Sequence, residues 1–498
     1  MALLDTLAPL RAHVGARRTH GLDDATLLRF AASHPELVEA IEAAGAEYAC
    51  IHDEFADLLD MDESAQALAV QAGFVNFYSN DTVNPYVALA ARGPWIVTLK
   101  GAVIHDSGGY GMLGFGHTPK AVLDTMSRPQ VMANIMTPSL SQLRFDRAIR
   151  KEIGHTRGDC PFDKFLCLNS GSESVSLACR IVDVNAKLMT DAGAPHAGRT
   201  IKRVVVKGSF HGRTERPALY SDSSRKNYVQ HLASFRGEDS VITVEPYDVD
   251  ALRKVFADAD ANGWFVEAMF LEPVMGEGDP GRALPRAFYD VARELTKSHG
   301  SILLIDSIQA GLRAHGVLSI VDYPGFEGIE TPDMETYSKA LNAAQYPLSV
   351  LAVNERAAGL YRKGTYGNTM TTNPRALDFA CTVLGLLTPE LRANIRERGK
   401  EAIARLEALK AELPGLITKV QGTGLLFSCE LSREFKGYGT GSTEEWMRER
   451  GIGVIHGGEN SLRFTPTFGV TSEELDLLIG MVKRALLEGP RQQQAAAA

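Results

Sequence analysis

Apolar and polar residues follow three different rhythms along the chain, and each predicts a different kind of structure. Over the first 80 or so residues the apolar positions recur at helical spacing. "GLDDATLLRFAASHPELVEAIEAAGAEYACIHDEFADLL" predicts helices, with Asp23 or Asp24 capping a start. From 95 to 106, "WIVTLKGAVIHD" predicts a two-strand hairpin turning at Lys100 and Gly101. In the middle, short β-rich runs end in polar or glycine residues and helical segments follow. The clearest are "KFLCL", "KRVVVK", "VEAMFL" and "GSILLI", with helices such as "PRAFYDVARELTKSHG" between them. Continuous apolar runs of this length predict buried parallel strands. After about residue 375 the rhythm becomes long helices, then short strands ("LLFSCEL", "GIGVIHG", "SLRFTP") and a closing helix from Ser472.

The expected architecture is therefore α/β. Residues 1–85 form a helical N-terminal extension, 86–374 a large domain on a mostly parallel sheet, and 375–488 a smaller α+β domain. The stretch 489–498, "GPRQQQAAAA", reads as a disordered low-complexity tail.

Composition narrows the function classes. The 498 residues are 45% hydrophobic and 23% charged, ordinary values for a globular chain. The net charge of −9, with no basic run, speaks against nucleic acid as a partner. No apolar run reaches spanning length, so no membrane role is expected. The start, "MALLDTLAPLRAHVGARR", lacks the long apolar core of a signal peptide, and Asp5 argues against an organelle presequence. Cysteines at 50, 160, 167, 179, 381 and 429 form no CxxC pair and read as reduced core thiols of a cytoplasmic protein. No HExxH or similar cluster appears, so no metal is expected.

Candidate chemistry gathers at the strand ends, where open α/β sheets collect ligands. The four central runs end in Asn169-Ser170-Gly171-Ser172, Phe210-His211, Glu272 and Asp306. "NSGSES" leads into a helix, and small residues there let backbone amides approach an anion. Plain capping by Ser170 or Ser172 reads the same stretch without a ligand. Asp306 directly follows a buried run and needs a partner: a protonated ring nitrogen, a helix start or an ion pair. Ile308 is placed to press on a ring and Phe210 to stack on its other face or to pack as core. Gln309 shares a face with Asp306 if a helix starts there. Lys339, in "METYSKALNAAQYPLS", sits among Tyr337, Leu341, Tyr346 and Leu348. It is either an exposed charge or an amine whose apolar surroundings prepare it to attack a carbonyl. Glycines 109, 111 and 114 spell G-x-G-x-x-G, but they follow a hairpin and no acid lies about twenty residues on, so a nicotinamide fingerprint is not expected.

Taken together, these residues resemble the class III (ornithine/acetylornithine/4-aminobutyrate type) pyridoxal-phosphate aminotransferases of fold type I, over roughly residues 95 to 485. "NSGSES" resembles the phosphate loop N-S-G-x-E-A; "SFHGRT" resembles the aromatic-H-G-R-T stretch; "EPVMGEG" resembles E-P-x-x-G-E-G. "DSIQAGLRAHG" resembles D-E-x-Q-x-G-x-x-R-x-G, "PDMETYSKAL" the lysine segment, "TMTTNP" T-x-G-G-N-P, and "SLRFTP" the arginine strand.

The resemblance implies pyridoxal 5'-phosphate as cofactor, an amino donor and a 2-oxo acid as substrates, and a homodimer with shared sites. It implies that Lys339 holds the cofactor aldehyde as a Schiff base and then moves a proton, and that Asp306 keeps the pyridine nitrogen protonated. Ser170, Gly171, Ser172, Phe210, His211, Glu272, Ile308 and Gln309 would line the cofactor, and Thr369 would reach the neighbouring subunit's phosphate. Arg463 would bind a substrate carboxylate. Glu277 would cover it while the donor is bound, or form a permanent structural pair with it. Tyr110 would contact the donor.

Three departures border this site. Serine stands at 307 where the family usually has glutamate, "NAAQ" replaces a glycine-rich turn, and "TMTTNP" lacks two glycines before Asn373. The reading is an aminotransferase with a ping-pong cycle. The alternatives are a pyridoxal-phosphate racemase, decarboxylase, mutase or carbon–carbon bond-forming enzyme, and, from another class, a cofactor-binding regulator or scaffold.

Overall fold

The computed structural model describes residues 2–492. The chain divides into two units, each discontinuous: residues 1–120, 397–421 and 427–498 in the first, 121–396 and 422–426 in the second. The boundaries expected after 85 and after 374 fall inside these units rather than between them.

In the first unit the expected N-terminal helices are present, among them Ala2–Arg11, Asp24–Ala31 and Pro35–Ile51. Asp23 caps the second, accepting from the Thr26 amide. Helix Pro35–Ile51 buries Leu37, Ala40, Ile41 and Ala44, one apolar face at helical spacing. A sheet of four strands holds β1 (Ala88–Arg92), β2 (Trp95–Thr98) and β3 (Val103–Asp106). β2 and β3 form the expected hairpin. Gly101 takes φ +69 at its turn, where a Cβ would come within 2.8 Å of Arg11. Lys100, beside it, is buried and donates to the Leu59 carbonyl at 2.9 Å.

The second unit is built on a seven-stranded sheet. Its strands are β4 (Lys164–Leu168), β5 (Thr200–Val206), β6 (Val241–Val244), β7 (Trp264–Leu271), β8 (Ile302–Asp306), β9 (Met334–Tyr337) and β10 (Ser349–Val353), in the spatial order β4-β10-β9-β8-β7-β5-β6. The four runs read from sequence are β4, β5, β7 and β8. β5, β7, β8 and β9 pair in parallel, and β7 and β8 are almost wholly buried. β4 departs from expectation. It is a half-buried edge strand paired antiparallel with β10, and β10 is antiparallel to β9 as well. Two reversals cancel, so β4 points the same way as β5, β7, β8 and β9. All five carboxyl ends therefore meet along one edge. Helix Gly171–Thr190 buries Val175, Leu177, Ala178, Ile181 and Val182 against this sheet.

The remaining strands, β11 (Ile417–Thr423), β12 (Leu426–Leu431), β13 (Ile452–Gly453), β14 (Ile455–Gly457) and β15 (Ser461–Phe464), belong mainly to the first unit. "GIGVIHG" splits: β13 pairs in parallel with β3, while β14 pairs with β15 in another sheet. Helices Pro374–Gly385, Pro389–Glu412 and Ser472–Glu488 are as expected. The start of the expected tail is held, with Gln492 donating its amide to the Glu434 carbonyl at 2.8 Å. Residues 493–498 of that tail lie outside the described residues.

Candidate active site

Each chain segment that leaves the shared sheet edge delivers one part of a single site within the second unit. After β4, Ser170 caps helix Gly171–Thr190, its Oγ accepting from the Glu173 amide at 3.3 Å, and Asn169 donates its amide to Glu173 Oε2 at 2.8 Å. The capping reading is thus present. It leaves the helix's first amides, those of Gly171 and Ser172, without intrahelical carbonyls and with the positive end of the helix behind them. Gly171 has no room for a side chain: a Cβ would lie 2.6 Å from Ile308 Cδ1. Gly212, at φ +105, likewise brings its backbone against Ser172. The result is a small-residue cradle open to an anion.

Asp306 ends β8, 4% exposed. Its Oδ2 accepts from His211 Nδ1 at 2.8 Å and its Oδ1 from the Ile308 amide at 3.1 Å. Neither of the simpler readings of Asp306 uses up both oxygens' capacity. Glu272 directly follows β7 and spans two loops, accepting from the Phe210 amide at 3.0 Å and the Gly276 amide at 2.9 Å. Burial pushes its carboxyl up to about 7, with His211 opposing that rise. Phe210 is half-buried, with the Arg213 guanidinium 5.2 Å from its ring centre.

Lys339 follows β9. It is half-buried in a left-handed backbone conformation, φ 43, and its Nζ donates to Gln309 Oε1. Tyr337, Leu341 and Leu348 are each almost fully buried, as the apolar setting required. Gln309 does not sit on a helix with Asp306. Residues 308–315 are a series of turns, with the Gly311 amide bonded to the Ser307 carbonyl at 2.8 Å. Gly276 backs Gln309 so closely that a Cβ would lie 2.6 Å from its Cγ. Gln309 Nε2 and His211 Nε2 are buried with no hydrogen-bond partner among the described residues. Buried polar atoms of that kind need a partner. An anion cradle, two acids, two unpartnered buried nitrogens and an amine on one edge fit a phosphorylated aromatic aldehyde.

Thr369 is exposed. Its carbonyl accepts from Asn134 Nδ2 at 3.1 Å, and its neighbour Asn368 meets Asn169 at 3.3 Å and Glu173 at 3.4 Å. Glu277 stands in the loop after β7, next to Gly276. Tyr110 and Arg463 belong to the first unit. Arg463 is 3% exposed on β15, opposite Ser428 and Ile455. Tyr110 is 40% exposed, with its ring 6.2 Å from that of Tyr78.

The glycine-poor departures keep a glycine-like backbone. Ala343 (φ 50), Ala344 (φ 60) and Thr372 (φ 57) all occupy the left-handed region. For a β-branched residue this is a genuine outlier, costing roughly 1–2 kcal/mol. Thr372→Gly is therefore expected to raise stability by about 1 kcal/mol, read from chemical unfolding midpoints. A loss of stability would contradict this view of residue 372.

Sequence reasoning missed Thr336, whose hydroxyl meets Ser174 at 2.6 Å and ties β9 to the phosphate-side helix. It also missed Glu335, an acid within the apolar "METY" strand. That acid was a readable signal.

Comparison with known proteins gives a consistent picture. Residues 77–486 match the model of the aminotransferase class-III family. The chain is 31% identical to an acetylornithine aminotransferase of Xanthomonas axonopodis over 312 residues, 62% of this chain and 71% of that one. It is 30% identical to a succinylornithine transaminase of Citrobacter koseri, over 62% and 71% of the two chains. Among solved structures, the ornithine aminotransferase of Toxoplasma gondii superposes with a TM-score of 0.72 at 21% identity, covering 88% of this chain and 98% of that one. That last likeness speaks to the fold, which is fold type I.

Proposed function

The chain belongs to the class-III aminotransferases, pyridoxal-phosphate-dependent enzymes that move an amino group from a donor to a 2-oxo acid, and from that premise we propose which residues do the work and what donor they serve. The family assignment favours transfer over the racemase, decarboxylase, mutase and carbon–carbon alternatives. Lys339 is the amine that holds the cofactor's aldehyde carbon, and later the base that lifts a proton from the donor carbon and returns it. Gln309, accepting from Lys339 Nζ, aims that nitrogen. Asp306 holds a proton on the ring nitrogen, and His211, donating to Asp306, fixes the carboxylate for that task. The bound cofactor supplies an electron sink for the negative charge left when that proton departs. Ser170, Gly171 and Ser172 take the phosphate, Phe210 and Ile308 flank the ring, and Glu272 joins the Phe210 and Gly276 loops at its edge.

The donor is a terminal amine of the ornithine type, as the named relatives suggest. Arg463 is proposed for a substrate carboxylate, Tyr110 for the donor chain, and Glu277 as the third substrate residue. A homodimer with shared sites is proposed, with Thr369 directed to the neighbouring subunit's phosphate. Exposed Val131, Ile135, Met136, Leu140 and Met370 in the second unit supply an apolar surface for such a contact. Six free thiols suit a reducing, cytoplasmic setting. No described helix is long and apolar enough to cross a membrane.

The observation that carries this reading is the meeting of Lys339, Gln309, Asp306 and His211 at one sheet edge. A donor panel tests it. Ornithine-type donors should bleach the holoenzyme's visible absorbance, and a 2-oxo acid should restore it. A holoenzyme that no amino donor bleaches would contradict the proposal.

A further inference from the structure

One buried carboxyl beside this site has no role in the account so far. Glu335 lies on β9 opposite Ile305 of β8 and is fully buried. Its Oε1 accepts from Ser307 Oγ at 2.6 Å and from the Ile320 amide at 2.9 Å, and its Oε2 accepts from Ser319 Oγ at 2.5 Å. A carboxyl sealed from water is costly unless well bonded. Burial pushes this one up to about 7, while those same donors hold it down.

The three donors are not scattered. Ser307 stands between Asp306 and Ile308. It anchors the start of the turns that carry Gln309, its amide donating to the Thr336 carbonyl at 3.0 Å and its carbonyl accepting from Gly311 at 2.8 Å. Ser319 and Ile320 stand at the far end of the same segment. Glu335 thus ties both ends of 307–320 to the strand that runs on into Lys339. Ile308 closes on Gly171 and Gln309 on Lys339 from within that segment.

We propose that Glu335 is a positioning residue: it fixes the 307–320 segment through Ser307 and so sets where Ile308 and Gln309 stand beside the cofactor phosphate cradle and Lys339. The inference rests on the site proposed above. Glu335 touches neither substrate nor cofactor. Its hold on the Gln309 end of the segment runs through Ser307, so the Ser307 substitution removes part of what the Glu335 substitution removes.

The test uses Ser307→Ala, Glu335→Gln and the double variant, each as full-length protein. Three quantities are read: the pyridoxal-phosphate dissociation constant, the pH midpoint of the holoenzyme's visible absorbance, and the melting temperature of the cofactor-free chain. Losing one strong hydrogen bond should raise the dissociation constant about tenfold in each single variant. The absorbance midpoint should move in the same direction in both, and the double variant should do no more than Glu335→Gln alone, which already disturbs the Ser307 bond together with those of Ser319 and Ile320. Ser307→Ala removes only a hydroxyl, so it remains informative if Glu335→Gln fails to fold. Wild-type affinity and an unmoved midpoint in Ser307→Ala overturn the proposal, whatever the melting temperature does, because a merely structural tie would change only the latter. Fully additive effects overturn it too. A wild-type holoenzyme that carries no reducible bond at Lys339 would instead refute the underlying site, which separates the two failures.

Discussion

Lys339→Ala is expected to lower amino transfer by roughly 10⁴-fold or more, because it removes both a nucleophile and a proton carrier. The fold should survive the change. Lys339 is half-buried, its Nζ donates to Gln309, and truncation to alanine leaves the backbone conformation as strained as before. The loss should therefore appear in single-turnover rates with donor, while the melting temperature of the cofactor-free chain stays close to wild type. Lys339→Arg should be as inactive, since it keeps the charge and loses the accessible free amine. Transfer within tenfold of wild type in Lys339→Ala would exclude the residue from the chemistry.

Asp306→Asn is expected to cost about 10²–10³ in the donor half-reaction. The carboxylate stands almost fully buried at the end of β8, held by His211 Nδ1 and the Ile308 amide. An asparagine preserves the shape and loses the negative charge that keeps a ring nitrogen protonated. It also leaves buried His211 facing an amide. The deficit should sit in the rate of donor proton removal and much less in donor affinity, because the charge matters most where carbanion charge develops. Single-turnover traces over a range of donor concentrations separate the two. A kcat within threefold of wild type would contradict the role.

Much of this site was legible because β-rich runs and their polar ends are local features. "KFLCL", "KRVVVK", "VEAMFL" and "GSILLI" became strands, and their terminal residues met because parallel strands share an edge. The pairing of β4 was not legible. Its partner β10 lies far along the chain, and an edge strand reads much like a central one over five residues. The helix suggested for Gln309 failed because spacing alone does not distinguish a helix from consecutive turns. Gln309 still reached Lys339, through a contact that the strand order creates. Ser307, "NAAQ" and "TMTTNP" were visible as departures, but their consequences were not. The backbone keeps left-handed residues at Ala343, Ala344 and Thr372 without glycine, and the acid bonded to Ser307 sits one strand away at Glu335. Long-range pairing of this kind leaves no periodic trace in a single sequence.

The account turns on a covalent link between Lys339 and the cofactor. Borohydride reduction of the loaded protein, followed by proteolysis and mass mapping, tests it directly. The account predicts one pyridoxyl label, on the peptide containing Lys339, and its absence after prior exposure to an amino donor. A fully loaded protein whose Lys339 peptide comes through unlabelled would contradict it.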